Sequence, residues 1–580
     1  MRSTVRTYVS ESNDNGMDRT TVVNHALPRA TIRSREMIAI PDMSWTPRRC
    51  VAILIVCSAI FRLCWAAGMD LGNDEAYHFL YTVHPDWSYF DHPPMLMWIA
   101  QAGRTLCGGW LSTLSLRLGF VLLFAGSTWA LFDWVRRWFG DWAGFYAAVA
   151  MNAAPYYAAA AGAFILPDGP FLFFALLTLR ALCHAMFEST ADGITLRVNS
   201  DPSGWSALSA WVWVGLACAG AMASKYHGVL LPLSTVAYVI VTPHAWKVLK
   251  TPGPYLAAIL GAAGLTPVLI WNSQHHWASI AFQGGRAVGA AFHPTGLMML
   301  VFGPIGYLFP WVWFPAVAAL VLRLRRYREL KGLDRFLVCQ SLLPLTLFFC
   351  VSCVRPILPH WPLIAFVPLF PLVGSQWAIN AVRVPRLVNL WVRFMAVAVL
   401  IVAGLFAGQA RYGFIDFPLN SDPAREISGW TSIGRELESR RLLESPDTFL
   451  ISTHWYESGQ LAFSVRNRVP VVCYNEGDAR GFAYWSRPED WVGKNGLLVT
   501  VEETPNLDLF RPYFRSIELV DTFKMTRSGK PFRPVQVHLC KDQLRPFPFT
   551  YQKSKPANQQ EPAQDRVYGL ENNGPSAGTR

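Results

Sequence analysis

Charge is scarce in this chain. Asp, Glu, Lys and Arg make up 16% of its 580 residues, against 52% hydrophobic residues, a balance that excludes an ordinary soluble domain of this size. No internal repeat is visible, which excludes solenoids and propellers. The 11 Cys show no zinc-ligand spacing. Cys350 and Cys353 lie three apart near a helix end and establish nothing alone. Cys473 and Cys540 fall in separate strands of the tail, where two thiols leave pairing open. Lys is absent from residues 1–49, which hold eight Arg and no core pattern. They read as a disordered tail rather than a secretory signal, whose charged segment is short.

What the chain has is apolar length. Runs of about 17 to 27 residues recur at about 50–69, 115–133, 142–161, 168–187, 206–223, 227–243, 255–272, 296–322, 336–352, 359–379 and 389–409, and mean hydropathy is +0.24. Each reaches across a bilayer core. In lipid the backbone must satisfy its own hydrogen bonds, so these runs are expected to be about 11 transmembrane helices. Trp65-Ala66-Ala67-Gly68 imitates a cleavage site, but cutting there would detach helix one from the acidic loop that follows, so helix one is expected to stay as an anchor.

Orientation follows from the basic residues. The alternate loops expected inside hold Arg136, Arg137, Arg180, Arg197, Lys247, Lys250, the cluster from Arg323 to Arg335, Arg383 and Arg386. The opposite loops hold only Arg104, Lys225, Arg286 and Arg355, with Arg117 opening helix two. The net charge of +12 is then mostly topology and not a nucleic-acid footprint. The expected location is the plasma membrane, the inner membrane of a bacterium, with the N-terminus cytoplasmic.

An odd helix count carries residues 410–580 outside. Asp447–Thr453, Val469–Tyr474, Leu497–Val501, Ser516–Phe523 and Val535–Cys540 read as strands, with helices at 423–440 and 456–465 between them. This predicts a small extracytoplasmic α/β domain over 410–550 and a disordered tail over 551–580. Outer loops 70–114 and 273–295 are long. The first holds short interfacial helices at Tyr77–His84 and Pro94–Leu106, with Trp87, Tyr89, Phe90 and Trp98 at headgroup depth.

The topology gathers polar side chains on the outer face: Asp74, Glu75, Asp91, His92, Asp168, Lys225, His275, His276, Gln283, Arg286, Arg355 and His360. Ionisable groups at a membrane rim usually mark function. Transfer of a sugar from a lipid phosphate needs such a set. A carboxylate takes the proton of the attacking hydroxyl, and cations steady the departing phosphate without a metal.

Asn73-Asp74-Glu75-Ala76-Tyr77 followed by Trp87-Ser88-Tyr89-Phe90-Asp91-His92-Pro93-Pro94 resembles the first outer loop of GT-C glycosyltransferases. The branch is the one with the lipid A aminoarabinose transferase, bacterial protein mannosyltransferase-like proteins and rhizobial galacturonosyltransferases. Leu166-Pro167-Asp168-Gly169-Pro170, Ala223-Ser224-Lys225-Tyr226, Trp271 to Trp277, Phe282 to Arg286, and Arg355-Pro356 with Leu358 to Pro362 extend the likeness over about residues 50–480.

The resemblance implies a multi-pass GT-C fold and an inverting transfer from a polyprenyl-phosphate sugar to an acceptor hydroxyl. The acceptor is a lipid, a polysaccharide or a protein, as in cell-envelope or lipopolysaccharide modification, and no cofactor is implied. Asp74 matches the catalytic base, with Glu75 beside it. Lys225 and Arg286 match the lipid-phosphate ligands, Arg355 is a third, and Asp168 matches a second acidic position. Asp91, His92, Gln283, His275 and His360 complete the expected donor site.

Plainer roles compete for the same residues. Asp74 also suits a helix cap, and Glu75 a structural pair. Asp91 and His92 suit a turn before Pro-Pro, and Lys225 suits snorkelling to headgroups. The His and Asp residues show no metal spacing. Arg62 and Arg117 are expected to pair within the bundle. A transporter would place its ionisable groups at mid-membrane on repeated halves, a pattern absent here. The tail is expected to sit over the site and help present the acceptor, so that truncation from about residue 422 leaves donor binding measurable while reducing transfer to the natural acceptor, unless it destabilises the bundle. Topology is checked by labelling. A Cys introduced at Ser486 should react with a membrane-impermeant thiol reagent in intact cells, and reaction only after the membrane is broken contradicts the helix count.

Overall fold

The computed structural model describes residues 45–190, 193–197, 205–286, 288, 292–330, 332–418, 421–445, 447–501 and 505–549. The expected tails fall outside these residues except for 45–49, where Pro47 already opens the first helix. Among the described residues six helices are long and apolar enough to cross a membrane: Pro47–Gly68, Thr113–Phe139, Asp168–Met186, Gly332–Val354, Trp361–Arg383 and Pro385–Tyr412. Two bent pairs raise the number to up to 8, and Leu208–Ser224, Pro294–Leu308 and Pro310–Leu324 are shorter apolar helices.

These helices do not by themselves confirm the expected count of about 11 spans, and two of the expected runs are interrupted. The run expected as one helix over 296–322 is two, broken at Phe309, whose φ is 59°, just before Pro310. The run at 142–161 holds a helix only over Asp141–Asn152, and a π turn follows Pro155. Periodicity reads apolar length but not where proline and backbone strain interrupt it. A hairpin of strands β1 (Phe187–Thr190) and β2 (Gly193–Leu196), unexpected from the sequence, follows the helix begun at Asp168.

The tail folds as expected. Strands β3 (Thr448–Ser452), β4 (Val471–Cys473), β5 (Asn495–Thr500), β6 (Phe514–Arg527) and β7 (Lys530–Gln543) form one sheet in the order β4-β3-β5-β7-β6. β3 runs parallel to β4 and β5, and β7 is antiparallel to β5 and β6. Helices Trp430–Ser439 and Trp455–Ser464 accompany it. Cys473 and Cys540 are buried free thiols in β4 and β7. Two strands separate them, so they do not pair.

The sheet domain is not a separate lid. Its core continues into the first long loop: Leu71, Ala76, Tyr77, Phe79 and Leu80 pack in one apolar cluster with Phe449, Ile451, Trp455, Phe482 and Leu498. The backbones meet at Gly459, where a Cβ would lie 2.6 Å from the Tyr77 nitrogen, an approach only glycine permits. The Gln460 amide donates to the Leu71 carbonyl at 2.8 Å, and Thr431 donates to Asp70 at 3.0 Å. The shared core bears on the expected truncation from about residue 422, because the tail is part of the packing of the acidic loop. Truncation at 422 would strip the apolar cover from the acidic loop itself.

One buried ion pair anchors that loop. Arg117 of the Thr113–Phe139 helix donates through Nε and Nη2 to the two oxygens of Glu75, at 2.7 and 2.6 Å. Its remaining donors reach the carbonyls of Ala66, Met69 and Asp70. Glu75 also accepts from the amides of Gly72 and Ile165. Both side chains are almost fully buried, at 0% and 2% exposure. Removing one partner of such a pair strands the other charge. Glu75→Gln should therefore lower unfolding stability by about 3–5 kcal/mol, read from thermal melts in detergent. Asp74→Asn, one residue away, should stay within about 0.5 kcal/mol of the parent.

Candidate active site

The helix Asn73–Phe79 presents two adjacent carboxylates in opposite ways. Successive helical side chains diverge by about a hundred degrees, so Glu75 turns inward to Arg117 while Asp74 is exposed. The helix cap is served by Glu75, whose carboxylate accepts from the Gly72 amide at 2.9 Å. Asp74 makes no hydrogen bond or ion pair among the described residues. The cap reading of Asp74 thus fails, and the catalytic role expected of Glu75 becomes one of positioning. Charges close to Asp74 come from the sheet domain, as Glu426 and Arg480 both lie within its field. Burial and the Asp74 charge push the Glu426 carboxyl above its ordinary range.

A second cluster forms around Asp91, which is 1% exposed. Tyr77 and Tyr81 both donate to its Oδ1, and Arg480 reaches Oδ2 at 3.2 Å. Burial pushes this carboxyl up, but the neighbouring His92, Arg480 and His78 outweigh it and hold the group down at about 2. Burial also drives His92 down, to about 3, against the opposing pull of Asp91. Arg480 lies flat over Trp455 at 3.6 Å, and the Gly481 amide donates to the Tyr77 hydroxyl. Gln283 donates to the Asp91 carbonyl at 2.8 Å, tying the two long loops together.

His78, Asp91 and His92 bring a ligand atom each within 4.8 Å of one another, a triangle that linear spacing hides because a turn folds 91–92 back onto 78. The set fits a cation poorly. The Asp91 oxygens are already bonded to two hydroxyls and a guanidinium, and His78 Nδ1 is 2.8 Å from the Ile165 carbonyl oxygen.

The third cluster lies at the start of the helix Asp168–Met186. Lys225 Nζ meets Asp168 Oδ1 at 2.6 Å, and Tyr156 donates to the same oxygen. His360 stacks on Tyr156 and shares a cavity of about 20 Å³ with Asp168, Lys225, His227 and Trp361. That volume holds about one water molecule. Lys225 is therefore held in an ion pair and does not snorkel. Arg286 sits over the rings of Phe282 and Trp361, at 5.1 and 5.2 Å, and His360 feels its charge together with those of Lys225 and Asp168. Tyr307 stands between the clusters. It touches Tyr156 and His360 and lies in the fields of both Asp168 and Asp74.

Two expected donor residues have other partners. Arg355 donates to the carbonyls of Gly285 and Val288, and so shapes the second loop. His275 stacks on Trp271 at 4.1 Å, and its Nδ1 lies 2.8 Å from the Trp271 carbonyl oxygen. His276 is exposed. Arg62 and Arg117 pair inside the bundle as expected, Arg62 with Asn152 and the Ala158 carbonyl. Sequence reading missed Tyr77, Tyr81, Tyr156 and Arg480. The tyrosines carry no formal charge to mark them, and Arg480 lies 389 residues from its partner Asp91, a separation that carries no local signal.

A family model described as dolichyl-phosphate-mannose-protein mannosyltransferase matches residues 91–195 and 204–271, under a third of the chain. The match takes in Asp91, Asp168 and Lys225 and begins after Asp74. No curated protein matches the sequence. Among solved structures, ArnT from Cupriavidus metallidurans bound to undecaprenyl phosphate superposes with a TM-score of 0.54 at 17% identity, covering 84% of this chain and 97% of that one. Its apo form gives 0.54 at 16% identity with the same coverage. The chain thus shares the ArnT fold over most of its length, and residues 91–195 and 204–271 resemble the mannosyltransferase family.

Proposed function

We propose that the chain transfers a sugar from a polyprenyl-phosphate donor to an acceptor hydroxyl on the extracytoplasmic side of the membrane. The observation that carries the reading is the contrast within Asn73–Phe79: Glu75 is consumed by Arg117, while Asp74 is exposed and unpartnered. An exposed carboxylate on a buried, rigidly pinned helix is what a general base requires, since its position is fixed and its oxygens are open. Tyr307 links its surroundings to the chamber of Lys225, Asp168 and His360, and Arg286 borders that chamber.

In the proposed reaction the acceptor oxygen attacks the anomeric carbon as Asp74 takes its proton. The bond from that carbon to the phosphate oxygen breaks, and the lipid phosphate departs carrying the electron pair. Attack and departure on opposite faces invert the anomeric centre. Lys225 and Arg286 would meet the phosphate, which requires the phosphate to compete with Asp168 for the ammonium. Asp168 thus keeps Lys225 aimed while the site is empty.

Asp74→Asn should lower turnover at least about a hundredfold in purified protein supplied with lipid-linked sugars, with donor affinity kept. Turnover near that of the parent would remove Asp74 as base. Lys225→Ala and Arg286→Ala should each weaken binding of the polyprenyl-phosphate donor. Unchanged affinity in both would move the phosphate to another site.

A further inference from the structure

A second cavity, of about 350 Å³, opens at the junction of the membrane bundle and the sheet domain and shares no lining residue with the chamber of Lys225. Its wall is mainly polar. Arg411, Arg435, Arg527, Asp70, Thr431 and Ser528 supply the side chains that matter.

The charges do not balance. Arg411 and Arg435 are exposed and make no hydrogen bond or ion pair through their side chains among the described residues. Arg527 is 5% exposed. Its Nη1 meets Asp422 Oδ2 at 2.7 Å, and its plane lies 3.7 Å from the Phe532 ring. Its Nε and Nη2 have no hydrogen-bond partner among the described residues, an unfavourable state for buried charged donors. The one carboxylate in the wall, Asp70, accepts from Thr431. Three guanidinium groups thus face Asp70 and, behind Arg527, Asp422, leaving net positive charge. The ten-residue helix Trp430–Ser439 starts at the same wall, and its N-terminal dipole adds in the same sense.

The position narrows the ligand. Gly68 to Asp70 end the first membrane helix, and Ala410 and Arg411 close the last. These two helices are the most lipid-exposed of the long spans, with only 17% and 6% of their apolar windows buried inside the protein. Trp65 stacks on Phe406 at 5.8 Å and holds them side by side beneath the cavity. The opening therefore lies where two lipid-facing helices emerge, at headgroup height.

We propose that this cavity binds the phosphate-bearing headgroup of a membrane lipid, with the phosphate on Arg411, Arg435 and Arg527 and the acyl chains along Pro47–Gly68 and Pro385–Tyr412. The site stands independently of the reaction proposed above, although Asp70 is only four residues from Asp74.

The test uses the full chain in phosphatidylcholine nanodiscs, with phosphatidic acid as the probe and native mass spectrometry as the readout. The double variant Arg411→Gln/Arg435→Gln should bind phosphatidic acid at least tenfold more weakly than the parent. Arg511→Gln/Arg515→Gln, which removes two exposed cations elsewhere on the sheet domain, should bind like the parent, and thermal melts confirm that both variants fold. Equal weakening in the two variants, or no weakening in either, overturns the site. Free orthophosphate should not displace the lipid at millimolar concentration. Displacement would make the cavity a site for soluble phosphate and overturn the lipid assignment.

Discussion

The bidentate pair of Arg117 and Glu75 is the contact on which the arrangement rests. It sits with almost no solvent exposure between the end of the first membrane helix, the acidic helix and the segment leading to Asp168. Five of its hydrogen bonds go to backbone groups in two stretches, Ala66 to Gly72 and Ile165. A buried pair of this kind contributes little net stability compared with apolar packing of the same volume. Its value lies in position: it holds a short helix, too short to persist alone, at one angle to the membrane. Asp74 inherits that angle without spending its own oxygens.

The sheet domain closes the same arrangement from above. Gly459 lets its helix touch the backbone of Asn73–Phe79, and Arg480 completes the Asp91 cluster. The domain and the loop share one core, so the acidic loop is a joint product of membrane bundle and tail. The Asp91 carboxylate stays ionised in that core because Tyr77, Tyr81 and Arg480 replace the water it loses.

Much of this was legible in the sequence. The strands and helices of the tail followed from period and turn residues, and Asp74, Asp168 and Lys225 stood out as ionisable groups at membrane rims. Roles were harder to read. Adjacent Asp74 and Glu75 look equivalent on paper, and only the helix angle separates the exposed carboxylate from the paired one. Arg355 looked like a phosphate ligand, yet it binds two backbone carbonyls. Arg480 and Arg527 meet their surroundings only through tertiary packing, so no local pattern marks them.

Mass spectrometry of lipids and glycans from cells with and without the protein tests the central claim most directly. The account predicts that one envelope species loses the mass of a single sugar when the protein is absent, while a polyprenyl-phosphate sugar accumulates. Unchanged envelope species with no accumulation of lipid-linked sugar would contradict it.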